Sequence, residues 1–402
     1  LNDGGDSIYA LDVTSPSSLS SESQVASSVL WEFTDSTLGL TYSQPVLALT
    51  NVTSVTNANP NGFLEFFGSG YNNSDGNDYL YAVNPQTGQE VAKINLCSKV
   101  PGACNTTLAN GLSSPAAINS GGAVGEPDDR VYAGDLQGNM WSVNISDKNP
   151  ANWTVTLLYQ ARDPSDVPQA ITVTPAVSLQ PNFPGQTGVI VYFGTGQYLG
   201  LPDQTTHQVQ SFYGVWDNGT GTATQSQLEQ QVLTDVAAGT ATAGGGVTSF
   251  ETRTITNNAI NWSTQRGWYM NLPDTGERQI TNPRLYAGEA VFTTYVPSPG
   301  DTCVGGGAAF LMAVNYANGG SFPQPQLDIN GDGVLNKDDQ LASGLNPVGI
   351  GLGQVYASAP AILSASMGAI QVMKLVTLST GTIMNVGERG GMPGQRSWWQ
   401  IQ

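Results

Sequence analysis

The run DINGDGVLNKDD at positions 328–339 is where this sequence concentrates residues that could do chemistry. Oxygen-bearing side chains recur through it: Asp328, Asn330, Asp332, Asn336 and Asp339. That pattern suits a hard divalent cation, because calcium takes roughly six to eight oxygen ligands at about 2.3–2.6 Å from a tightly curled loop. Asp328, Asn330 and Asp332 take the first, third and fifth positions, Val334 lends its backbone carbonyl at the seventh, and Gly331 and Gly333 allow the turn to be tight. Two closures are open. Asn336 closes a nine-residue site carrying less charge, or Asp339 closes a twelve-residue one, with Asp338 able to stand in if the local turn differs. The plain alternative is an acidic surface turn with no ion. Residues 319–327 (GGSFPQPQL) before the loop are Pro-rich and extended, so the paired helices of an EF-hand are not expected.

Other chemistry finds less support. The single histidine, His207, lies in the polar stretch DQTTHQVQ, and no G-x-S-x-G is present, so it reads as an exposed loop residue and not as a triad base. One histidine cannot supply a histidine zinc site. The Gly-rich stretch at 239–249 lacks the lysine of a phosphate-binding loop and reads as a flexible loop. Carboxylate pairs assembled in space leave no local signature. Catalysis is therefore not expected. Cys97 and Cys104, seven residues apart, are expected to form a disulfide; Cys303 is left as a free thiol or the partner of another segment. The acidic stretches at 1–6, 72–78 and 126–130 read as turns. Trp141, Trp216 and Trp268 are expected to pack between structural units, and Trp398 and Trp399 near the C-terminus to pack or make contacts.

Positioning such a loop requires a scaffold, and the composition describes one. Only 11% of the 402 residues are charged, yet the net charge is −18; 48 Gly and 23 Pro accompany abundant Ser, Thr and Asn. Many short strands joined by turns fit this composition. Acidity argues against nucleic acid and against an anionic membrane surface. No apolar run approaches the length of a membrane-spanning helix. Period-2 patterns dominate, and three modules share a plan: SQPVLAL, FLEFFGSGYN and DYLYAVNPQTGQEVAKI; then SSPAAIN and RVYAGDLQGNMWSVNI; then TVTPAVSL and VIVYFGTGQYLG. A fourth start is YASAPAILS. Pro115 to Gly134 and Pro175 to Gly194 have the same spacing, and Pro45 to Gly68 is slightly longer. A recurring phase of this kind predicts an all-β β-propeller over 1–402, taken as seven modified blades, with the calcium loop inserted within it. The phrases IYALDVTSP, LYAVNPQTG and VYAGDLQGNMW resemble the repeat of quinoprotein-type propellers. The chain opens at Leu1 and is expected to be part of a longer protein.

Ordered phrases along the whole chain carry a closer resemblance. IYALDVTSP, YSQP, GSGYNNSDG, YAGDLQGNMW, VYFGTGQYL, QSFYGVWD, GWYMNLP, GERQ and VFTTYVPSPGDTC, with the tail RSWWQIQ, resemble the C-terminal propeller of the PilY1/PilC family of bacterial type IV pilus proteins. The resemblance implies a calcium-dependent factor secreted to the cell surface, acting in pilus assembly, retraction, twitching motility and adhesion. It implies pilins or minor pilins and the protein's own N-terminal region as partners, with a host surface or glycan as a further one. Two other readings remain: a lectin-like surface adhesin, and a quinoprotein dehydrogenase, which the lack of an adjacent cysteine pair disfavours.

Overall fold

Alternate residues along single strands serve different cores, and this organises the architecture. A computed structural model describes residues 5–180, 187–298, 307–367 and 370–388. The first sheet pairs β1 (Ile8–Leu11) with β2 (Val29–Phe33), separated by a short helix at Glu22–Ser27. Blade 1 follows as β3 (Val46–Leu49), β4 (Phe63–Gly68), β5 (Tyr79–Val83) and β6 (Glu90–Asn95). Blade 2 is β7 (Ala116–Ile118), β8 (Arg130–Gly134), β9 (Asn139–Asn144) and β10 (Thr154–Gln160). Blade 3 begins with β11 (Ala176–Leu179), β12 (Val189–Gly194) and β13 (Ser211–Asp217). A hairpin of β14 (Glu229–Val236) and β15 (Thr252–Ile255) intervenes before β16 (Gly267–Asn271) completes that blade. Blade 4 is β17 (Arg284–Tyr286), β18 (Glu289–Pro297), β19 (Gly307–Asn315) and β20 (Gly349–Gly353), and the last sheet is β21 (Ala361–Met367), β22 (Ile370–Thr377) and β23 (Ile383–Glu388).

Neighbouring sheets meet face to face. In β5, Tyr79, Tyr81 and Val83 pack with Ile8 and Trp31 of the first sheet, while Leu80 and Ala82 pack with Val131, Ala133 and Trp141 of blade 2. In β8, Tyr132 turns the other way, toward Val189, Val191 and Phe193 of blade 3. Ile190 and Tyr192 of β12 join Phe292, Phe310 and Met312 of blade 4, and Val291 of β18 joins Val376 and Val386 of the last sheet. A strand buried on both faces reads as a nearly continuous apolar run, as β12 does. This serial packing is that of a β-propeller. The four module starts found in the sequence are β3, β7, β11 and β21. Seven blades were expected. The described residues form five sheets: a two-stranded one, the four-stranded blades 1 and 2, a ten-stranded one in which the β14–β15 hairpin joins blades 3 and 4, and a three-stranded one.

The repeated glycine has a steric cause. A Cβ on Gly68 would lie 2.5 Å from the carbonyl oxygens of Leu112 and Ser113, one on Gly134 2.2 Å from Ile171 Cγ2, and one on Gly194 1.8 Å from Gln279 Oε1. Each glycine thus lets the chain leading into the next blade approach, its backbone at Gly68 and the Ile171 and Gln279 side chains at Gly134 and Gly194. Cys97 and Cys104 form the expected disulfide, with Cα atoms 5.5 Å apart. Trp141 and Trp268 are fully buried between blades, and Trp216 packs in the same core as Trp268. Cys303, Trp398 and Trp399 lie outside the described residues.

The β14–β15 hairpin ties blades 3 and 4 together: β14 runs parallel to β16, and β15 pairs with β20. Arg253 of β15 is fully buried, stacked 3.4 Å above the centre of the Phe310 ring. Its guanidinium donates to Asp235 at 2.7 Å, Asp274 at 2.8 Å and both oxygens of Glu277. Burial alone would disfavour its charge; the Glu277 and Asp235 carboxylates outweigh it and hold its pKa above the ordinary value.

Candidate metal loop

The loop at 328–339 lies within the connection from β19 to β20 in blade 4. Its flanks are anchored by apolar burial: Leu327, Ile329 and Leu341 join the core between blade 4 and the last sheet. Asp328 N–H donates to the carbonyl of Gly387 in β23 at 3.3 Å. As expected, no paired helices flank the loop; the local helix is a single 3-10 turn at Lys337–Asp339.

Asp328 folds the chain around itself. Its Oδ1 accepts from Gly331 N at 2.7 Å and its Oδ2 from Gly333 N at 2.8 Å, with both glycines at positive φ (75° and 79°). Asn330 Oδ1 accepts from Asp332 N at 2.9 Å, and Asp332 Oδ1 from Val334 N at 2.7 Å. Side-chain oxygens therefore recur along the inside of a curled backbone, as turn chemistry dictates.

Asn336 and Asp339 behave differently from one another. Asn336 Oδ1 caps the closing turn, accepting from Asp338 N at 2.6 Å, while its Nδ2 donates to the Val334 carbonyl at 3.3 Å. Asp339 is fully buried and joins the two ends of the loop, accepting from Ile329 N at 3.0 Å and Asn336 N at 2.9 Å. Burial pushes its pKa up to about 6, with the Asp328 and Asp332 charges adding to the rise and the two N–H donors opposing it. Asp338, the third candidate for closure, points away: its Oδ1 accepts from Thr242 Oγ1 at 3.1 Å and Gly246 N at 3.4 Å.

The Asp328 and Asp332 charges both act on Asp339, although the three carboxylates do not all come within 4.8 Å of one another, and among the described residues none of them enters an ion pair. The nearby Lys337 is exposed. Uncompensated carboxylates within an all-oxygen donor set fit a hard cation. Ligand atoms of Asp78, Cys97 and Cys104 also lie within 4.8 Å of one another, but the two sulfurs are spent in the disulfide.

The Gly-rich stretch at 239–249 is not the flexible loop that its composition suggests. It continues the β14–β15 hairpin as a paired tongue, with Gly239 N–H donating to Thr248 O at 2.9 Å and Thr242 N–H to Gly246 O at 2.9 Å. The tongue lies against the acidic loop. Ser249 Oγ donates to Asn330 O at 2.7 Å, Ser249 N to Ile329 O at 3.1 Å and Ala243 N to Gln340 O at 2.7 Å. Sequence reasoning missed this contact, since about eighty positions separate Ser249 from Ile329 and Asn330 and no charge marks it. A possible signal was the three glycines at 244–246, which admit a second backbone closely. His207 is exposed in its loop.

Fold and loop together define an all-β propeller with an acidic insertion in a late blade. A model of the PilY1 β-propeller domain matches residues 1–243. The chain is 32% identical over 340 residues to a type IV pilus biogenesis factor PilY1 homolog of Xylella fastidiosa, covering 79% of this chain and 21% of that protein. It is 28% identical over 404 residues to type IV pilus biogenesis factor PilY1 of Pseudomonas aeruginosa, covering 87% of this chain and 32% of that one. The crystal structure of the Pseudomonas aeruginosa PilY1 C-terminal domain superposes with a TM-score of 0.74 at 23% identity, over 95% of this chain and 78% of that one, which shows a shared fold. The chain belongs to the PilY1 β-propeller family. It spans between a fifth and a third of the length of the two curated relatives. Among the described residues no helix is long and apolar enough to cross a membrane.

Proposed function

We propose that this propeller is a calcium-binding, non-catalytic part of a type IV pilus biogenesis factor at the cell surface. The observation that carries the reading is one loop curled around Asp328 and closed by Asp339, whose carboxylates Asp328, Asp332 and Asp339 have no cationic partner among the described residues. Asp328, Asn330, Asp332, the Val334 carbonyl and Asp339 would hold the ion; Asn336 contributes by capping the closing turn. Bound, calcium supplies the positive charge that these groups lack. The residues themselves fix the loop's curl through backbone N–H donors and set it against β23 and the tongue. The relatives' role in pilus biogenesis supports a place in pilus assembly, and retraction control, twitching motility and adhesion follow as further parts of the proposal. Pilins or minor pilins and the N-terminal region of the longer protein are the partners proposed. The test is calorimetric calcium titration of this chain beside Asp332→Ala. We expect one ion for the native chain and at least a tenfold loss of affinity in the variant, about 1.4 kcal/mol. Equal binding by both, or none by either, sinks the assignment.

A further inference from the structure

We propose that the tongue at 237–250 is ordered by ion occupancy of the 328–339 loop, through Asp338; this rests on the calcium reading above. Asp338 sits between Asn336, which caps the closing turn, and Asp339, which joins the loop ends, so its position follows the closure of that turn. Its carboxylate faces the tongue and not the other loop carboxylates. It accepts from Thr242 Oγ1 and Gly246 N. Fit is close: a Cβ on Gly244 would lie 2.1 Å from Asp338 Oδ1. The far edge of the loop is held through Ser249, which donates to Ile329 O and Asn330 O.

Beyond its own ladder, the tongue is held along the segment that follows the closing turn, with Ala243 N donating to Gln340 O at 2.7 Å and Ala342 N to Ala241 O at 2.9 Å, and Phe250 packs at its base against the core between blade 4 and the last sheet. Residues 237–250 carry no charge, and four of the fourteen are glycine. Exposed Val247 buries little apolar area. Its root is different: Arg253 is clamped by three carboxylates and stacked on Phe310. A firm root and a tip bonded to Asp338 and to the residues just after it make the tip's order depend on the closing turn. Without the ion, the carboxylates of Asp328, Asp332 and Asp339 repel one another and the closing turn loosens; Asp338 then no longer presents its acceptor. The ion's differential affinity for the closed loop thereby becomes order in the tongue.

Hydrogen–deuterium exchange of the chain with calcium and with a chelator, alongside calorimetry on the same samples, tests this. In the native chain calcium should slow exchange of amides 241–249 by about tenfold or more, the scale expected when local opening is suppressed. Gly244→Ala, whose methyl displaces Asp338, and Thr242→Val, which removes one donor, should each still bind one ion. In both, the slowing should fall below about twofold, because the local opening is no longer coupled to the loop. Native binding with no change at 241–249, or full slowing in both variants, overturns the inference. Absence of any native binding heat overturns the calcium reading itself, and the tongue's dependence with it.

Discussion

Asp78 and Asp135 meet between blades 1 and 2, fully buried and without a cation beside them. Asp135 accepts four hydrogen bonds, from Gln137 N and Asn139 N on one oxygen and from Asn139 Nδ2 and Trp141 Nε1 on the other. Asp78 receives Asn110 Nδ2 at 2.9 Å on Oδ2, and its Oδ1 meets no donor. A proton on Asp78 resolves this, because the acid can then donate to the Asp135 carboxylate. Burial, followed by the Asp135 charge, accordingly raises the Asp78 pKa well above 3.8. The folded state holds a proton that the unfolded chain releases near its ordinary value. Stability from this group is therefore complete below about pH 4 and falls as pH rises toward the folded pKa. Asp78→Asn keeps the shape and supplies a permanent donor. It should raise stability at pH 7 by about 1–3 kcal/mol, with the gain shrinking to nothing near pH 4. Urea unfolding at several pH values checks this; a variant less stable than the native chain at pH 7 would show that Asp78 is needed as a carboxylate.

Elements join through the backbone that enters each blade. Ser113 N donates to Gly134 O at 2.8 Å, Ile171 N to Asp135 O at 2.8 Å and Gln279 N to Thr195 O at 2.9 Å, so the repeated glycines mark seams and not merely turns. Gly134→Ala places a methyl against Ile171 and should cost about 1–3 kcal/mol as the seam is forced apart. Gly200, at extended φ with its nearest neighbour at 3.6 Å, is the control: Gly200→Ala should change stability by less than about 0.5 kcal/mol. Equal effects at the two positions would refute the seam argument. The Cys97–Cys104 link closes a short loop that also holds Gln137, through Asn105 N to Gln137 Oε1 at 2.8 Å. Its loss by Cys104→Ser should cost about 2 kcal/mol, measured by thermal unfolding against the oxidised native chain.

At the level of the whole molecule, a net charge of −18 disfavours the compact state through self-repulsion. Any salt relieves this by screening, so calcium must be compared with magnesium at equal ionic strength. Magnesium demands a smaller octahedral shell and suits this loop less well. Calcium at about a hundred times its dissociation constant should add about 2.7 kcal/mol beyond the magnesium effect. Spread over a 402-residue chain, that corresponds to a rise in Tm of roughly 3 °C. Identical shifts with the two ions would mean that screening alone is at work.

Local patterns were enough to read the strands, the module starts and the acidic loop, because period-2 burial, turn chemistry and a curled ligand loop are set by residues close together in the chain. The same holds for Cys97 and Cys104. Tertiary structure alone decided which side chains meet across long separations. It placed Asp339 at the loop's closure and turned Asp338 toward Thr242, and it brought Asp78 to Asp135. It also set the number of sheets at five among the described residues, one of them ten-stranded because the β14–β15 hairpin joins blades 3 and 4. Arg253 is the clearest case: nothing near it in sequence shows that Glu277 will reach it, because the pairing depends on how blades 3 and 4 pack, and burial selects the partner.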